Sequence, residues 1–221
     1  MLFSLTWSDF TFWELLSIIG TYGLAIMLAL VLHEWAHAWA AYKSGDPTAK
    51  MLGRMTLNPA KHVEPLGLLS FIFVGIGWAK PVPVNPFNYR NFKRGNFFVS
   101  IAGVTVNFII GFIASLGFFL FAHFDLYTMN VGFLAIYYFF LFSMSINIML
   151  MIFNLLPIAP LDGYNMLRSF TKPGNAYMKF ARENAMILLL VVLLVSMFSG
   201  GIFHLHNLIL RMFMGLWGVF F

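Results

Sequence analysis

Cysteine does not occur among the 221 residues of this chain. Its absence excludes a disulfide framework, a thiolate metal site and a Cys nucleophile, so any metal must be held by His, Asp or Glu. Charge is scarce as well. Only 10% of residues are Asp, Glu, Lys or Arg, where a soluble domain carries about a quarter. Acidic residues number 8, which leaves few carboxylates for any chemistry. No internal repeat or low-complexity tract is visible. The stretch Met1 to Phe12 has no Lys or Arg, so a cleaved secretory signal is not expected and the chain should be retained in the membrane.

Apolar residues make up 61% of the sequence, and the mean hydropathy of +0.84 is that of a membrane protein. The net charge of +5 does not imply a nucleic-acid partner, because the positive residues fall in connections between apolar spans. There they act as topology determinants. A bilayer core needs about 20 apolar residues per helix. Spans are predicted at Phe12 to Tyr42, Phe97 to Ala122, Phe133 to Leu156 and Ala185 to Phe203, with a short fifth candidate at Leu205 to Phe221 interrupted by Arg211. Leu66 to Ala79 is short and glycine-rich, which suits a re-entrant element. The following Lys80-Pro81-Val82-Pro83-Val84-Asn85-Pro86 should be extended.

The expected fold is thus an all-α polytopic membrane protein of about four or five transmembrane helices. A re-entrant and extended element separates the first two spans. The chain reads as a single membrane domain over 1–221, with a core at about 12–168 and C-terminal helices at about 185–221. Eight basic residues lie from Lys43 through Arg94 and four from Arg168 through Arg182, leaving only Arg211 elsewhere. All twelve share one compartment only if Leu66 to Ala79 enters the membrane and returns. The positive-inside rule then makes that compartment the cytoplasm.

The informative stretch is His33-Glu34-Trp35-Ala36-His37, an H-E-x-x-H motif in an apolar run. Two histidines four residues apart share one helix face and can grip one metal ion. The glutamate between them can act as general base toward water. The plainer reading is three polar residues satisfied by neighbouring helices. Three ionisable groups in five positions are costly inside a membrane unless they bind something, so the metal reading is preferred. A catalytic zinc takes three protein ligands. Asp162, after the Pro157-to-Pro160 break and before Gly163, is the best-placed third ligand, although a turn or N-cap aspartate would look the same. His62 competes for that position.

On these residues the sequence resembles the site-2 proteases, intramembrane zinc metalloproteases. The resemblance runs from His33 to about Arg168. It includes Leu161-Asp162-Gly163, matching the family's L-D-G motif, and Gly103-Val104-Thr105-Val106-Asn107, matching G-P-x-x-N with valine in place of proline. Leu57 to Pro65 and Gly77 to Pro86 look like the compact bacterial subgroup, and no segment has room for a PDZ or CBS domain.

The resemblance implies one Zn²⁺ per chain on His33, His37 and Asp162, with Glu34 as the base and Asn107 as an oxyanion donor. His62 is a second donor or a channel residue. Val82, Val84 and Asn85 are candidates for pairing with an extended substrate, the alternative being a plain surface loop. The expected partners are membrane-protein substrates and the bilayer, and the expected location is the bacterial inner membrane. Rival readings are a metal-binding membrane protein or transporter, and an inactive homologue that only binds substrates.

Overall fold

A computed structural model describes residues 10–74 and 79–221, with only the backbone described at 71–74 and 197. Three long helices form its centre: α1 (Phe12–Ser44), α4 (Phe92–His123) and α5 (Val131–Asn154). Shorter helices are α2 (Thr48–Met51), α3 (Pro65–Val74), α6 (Asp162–Arg168) and α7 (Ala176–Glu183), and the chain closes with α8 (Ala185–Ser199) and α9 (Gly201–Phe220). No β-strand is present among the described residues. Helices α1, α4, α5 and α9 are long and apolar enough to cross a membrane. The protein is an all-helical, polytopic integral membrane protein.

Local chemistry sets the helix limits. Thr11 and Glu14 make a capping box at the start of α1, the Glu14 carboxylate accepting from the Thr11 N–H at 2.7 Å. The helix ends at Gly45, whose φ of +111° suits glycine. Asn91 caps α4 by accepting from the Arg94 N–H at 3.0 Å, so that helix starts five residues before the expected Phe97. The polar run Lys93 to Asn96 marks the end of the apolar span, not the end of the helix.

The C-terminal pair departs from expectation in length. The fourth predicted span, Ala185 to Phe203, divides at Gly200 (φ +70°) into α8 and α9. At 15 residues α8 reaches only about 22 Å, whereas α9 has 20 residues and crossing length. Hydropathy alone could not see this break, because apolar residues continue through Gly200-Gly201. The piece expected to be re-entrant, Leu66 to Ala79, contains the short helix α3; residues 75–78, which belong to it and to the Gly77-to-Pro86 motif, lie outside the described residues, as does Met1 to Asp9.

Small residues allow the central helices to approach closely. Ala25, Ala29 and Ile26 of α1 are fully buried in a cluster with Phe142 and Ile146 of α5. A Cβ on Gly111 of α4 would come within 2.8 Å of Ile148 on α5. Helix α9 joins through polar contacts, with Trp217 Nε1–H donating to Ser115 Oγ at 2.8 Å and His206 Nε2 lying 3.0 Å from Ser145 Oγ. Along α8, Met186, Ile187 and Phe198 are exposed. The connection from α1 to α4 and the end of α5 lie at one end of the bundle, with the short α4–α5 turn at the other.

Candidate metal centre

Helix α1 carries His33, Glu34 and His37 on its buried face, each under a tenth exposed. They lie about 10–16 Å from the helix's C-terminal residue Ser44, at ~1.5 Å per residue. Asp162 comes from far along the chain. After Asn154 the helix path breaks over Pro157 to Pro160, and α6 starts at Asp162 itself. Gly163 must lack a side chain, because a Cβ there would strike the Leu155 carbonyl. A second anchor was not legible in the sequence: Asn96 of α4 is buried and its Nδ2 donates to Asn165 O at 2.5 Å and Ser169 Oγ at 2.9 Å. That pair of bonds docks α6 on α4 and sets where Asp162 stands.

His33 Nε2 and His37 Nε2 are 2.9 Å apart, and they lie 3.4 and 3.2 Å from Asp162 Oδ2. The structure therefore brings together the three residues expected as ligands. Their protons can be assigned from the far side of each ring. His37 Nδ1 lies 2.7 Å from Val99 O, which can only accept, so Nδ1 carries the hydrogen. His33 Nδ1 faces Asn107 Oδ1 at 3.2 Å in the same manner. In the neutral form of each ring, Nε2 then turns its lone pair inward. Asp162 Oδ2 is buried and, apart from the approach of the two histidines, has no polar partner among the described residues. Three atoms able to ligate a metal thus converge within 3.4 Å of one another, and each histidine is held by its far ring nitrogen in the tautomer that ligation through Nε2 uses. The residues fit a metal ion.

Gly103 completes the pocket. A Cβ at this position would stand 2.5 Å from both His33 Cε1 and His37 Nε2. The G-x-x-x-N spacing thus serves two purposes: glycine lets α4 approach the histidines, and four residues on Asn107 orients one of them. Replacement of the motif's proline by Val104 leaves α4 a continuous helix from Phe92 to His123. Asn107 is fully buried and its Nδ2 has no hydrogen-bond partner among the described residues.

His62 lies outside the three-ligand group. It is buried, its Nε2 lies 2.7 Å from Thr56 O, and its own carbonyl accepts from Lys80 N–H at 2.8 Å. The extended segment after it approaches the centre directly. Val82 N–H donates to Glu34 Oε2 at 2.8 Å, and Asn85 N–H donates to Asp46 Oδ2 at 2.6 Å. Two of the three residues considered for substrate pairing therefore use their N–H groups within the chain. Val84 is 37% exposed, and its N–H makes no hydrogen bond among those described.

Asp46 was one acid among several in the sequence; here it is a fully buried hub. Burial pushes its carboxyl pKa up, but donors from Asn85, Thr48 and Asn88 outweigh that and hold it below the usual aspartate value. A depressed carboxyl stabilises the folded chain fully above the unfolded pKa. That contribution is lost as pH falls through the lower folded value.

Fold and site together define a membrane-embedded metalloprotein whose H-E-x-x-H helix is completed by an aspartate from a distant helix. The sequence pattern of Peptidase family M50 matches residues 124–198, a stretch that includes Asp162 but not the histidine pair. The candidate zinc metalloprotease YwhC of Bacillus subtilis is 38% identical over 189 residues, covering 83% of this chain and 84% of that protein. The candidate zinc metalloprotease Rip2 of Mycolicibacterium smegmatis is 28% identical over 192 residues, covering 82% and 70% respectively. The zinc metalloprotease MJ0392 of Methanocaldococcus jannaschii is 28% identical over 199 residues, 85% of this chain and 44% of that protein. No solved structure matches the chain. The chain belongs to the M50 peptidases, the site-2 protease family, and is a metalloprotease.

Proposed function

We propose that this protease holds one Zn²⁺ on His33, His37 and Asp162 and hydrolyses peptide bonds in or beside transmembrane segments of other membrane proteins. The observation that carries the reading is the convergence of three potential ligand atoms below the end of a membrane-crossing helix, with Glu34 next to the first of them in sequence. Zinc bound there supplies a Lewis acid that polarises the scissile carbonyl and makes water acidic. Glu34 takes the proton from the attacking water and returns it to the leaving amine. Asn107 holds His33 through Oδ1 and offers its unpartnered Nδ2–H to the developing oxyanion. Val84, with its open N–H, is the point of the extended segment best suited to pair with an unwound substrate.

The reading predicts that the purified protein in lipid vesicles cleaves a single-span membrane substrate, and that a strong chelator abolishes cleavage until Zn²⁺ is restored. Undiminished cleavage after complete removal of metal would overturn it.

The protein sits in the inner membrane with its centre toward the cytoplasm. The twelve basic residues of the α1–α4 and α5–α8 connections support that orientation. Because the chain has no cysteine, single replacements test it cleanly. Lys172→Cys should react with a membrane-impermeant maleimide only in inverted vesicles, and Met129→Cys only in right-side-out ones. The opposite labelling would reverse the orientation.

A further inference from the structure

The segment that reaches Glu34 is tethered on both sides of the contact. Upstream, Lys80 N–H bonds His62 O at 2.8 Å, and Arg54 Nη2 donates to Lys80 O at 2.8 Å and Pro81 O at 3.2 Å. Downstream, both Asp46 oxygens are engaged. Oδ2 accepts from Asn85 N–H at 2.6 Å, while Oδ1 accepts from Asn88 Nδ2 at 2.8 Å and from the Thr48 hydroxyl and N–H at 2.5 and 3.1 Å. Asp46 is itself fixed to α1, its N–H donating to Ala41 O at 2.9 Å. Gly45 lets the strap come this close, since a Cβ there would meet Asn88 O at 3.0 Å. Helix α1 thus carries both Glu34 and the carboxylate that holds the strap.

Between these anchors the sequence is Pro81-Val82-Pro83. Neither proline has an N–H, so Val82 supplies the one amide hydrogen of the three residues, and that hydrogen goes to Glu34 Oε2. The residue before a proline is also confined to extended conformations, which stiffens Val82 at the point of delivery. The effect on Glu34 follows from its position. A carboxylate beside a metal-ligating histidine has two oxygens able to ligate the same ion. An N–H held on one of them keeps the carboxylate off the metal and leaves the other oxygen to handle the proton.

We propose that Asp46 is a positioning residue for Glu34. It acts through the strap, setting the register that holds the Val82 N–H on one oxygen of the base. The inference rests on the reading of Glu34 as the general base, and its test has an arm that does not need catalysis.

That arm is amide hydrogen exchange over residues 80–85 of the full-length protein in vesicles. Val82 and Asn85 should be protected in the wild type and both exposed in Asp46→Ala, with zinc content unchanged. Unaltered protection in Asp46→Ala would overturn the strap. The second arm compares Val82→Pro, which deletes the N–H, with Val82→Ala, which keeps it. Cleavage by Val82→Pro should have a kcat about 10- to 100-fold below that of Val82→Ala at similar KM, as for a misplaced catalytic group. Asp46→Ala should show the same split.

Equal kcat for the two Val82 variants would overturn the proposal. So would a rise in KM alone, which would make the strap a substrate seat, or a rise in kcat, which would make it a latch over the base. A wild type that cleaves nothing would remove the reading of Glu34 as the base, and with it the positioning role, while exchange would still decide whether Asp46 holds the strap.

Discussion

Glu34→Gln is expected to lower cleavage of a membrane-embedded substrate by about 10²- to 10⁴-fold, the range supplied by general acid–base catalysis, while leaving zinc content unchanged. Glutamine keeps the size of the side chain and retains one oxygen that can still accept the Val82 N–H. The strap and the ligand helix are therefore left as they were. What glutamine cannot do is take a proton from water near neutral pH. Single-turnover cleavage of a reconstituted substrate beside metal analysis of the same sample measures both quantities. Activity within a few-fold of wild type would remove Glu34 from the chemistry.

Gly103→Ala is expected to have an effect as large by a different route. The added methyl would lie 2.5 Å from His33 Cε1 and from His37 Nε2, well inside ordinary contact. Neither ring can yield easily, because His33 is tied to Asn107 and His37 to Val99 O. Either α4 backs away from α1, which also withdraws Asn107, or the rings turn out of the pocket. Both outcomes disperse the ligand set, and displacement of a catalytic group by about 1 Å alone costs about 10²-fold. Zinc content should fall together with cleavage. Gly215→Ala in α9 is the control, since a Cβ there meets nothing within 4 Å, and it should behave as wild type. Full zinc and full activity in Gly103→Ala would contradict the close approach of α4 to the histidines.

The centre was legible in the sequence to an unusual depth because membrane energetics restrict what polar residues can mean. His33, Glu34 and His37 stood out against an apolar run, and few acids competed for the third ligand position. Asp162 could be picked out by the prolines before it and the glycine after it. The positions of the central spans followed from hydropathy for the same reason. What hydropathy could not supply was any boundary set by hydrogen bonds. Asn91 starts α4 early through its cap, and Gly200 splits the apolar C-terminal stretch through a positive φ.

Other parts were hidden because their roles depend on contacts between distant segments. Asn96 looked like the end of a polar loop until its amide was found on α6. Asp46 resembled any loop acid, since nothing local indicates that Asn85 and Asn88 return to it from some forty residues away. Gly103 was noticed as part of a motif, but its purpose required knowing that α4 passes over the histidine rings.

The central claim is that residues from α1 and α6 share one metal ion. Zinc per chain in the purified protein, wild type beside Asp162→Ala, tests it most directly, and the absence of cysteine removes thiolates as a background site. The account predicts one zinc per wild-type chain and close to none in Asp162→Ala. A full equivalent of zinc retained by Asp162→Ala would contradict it.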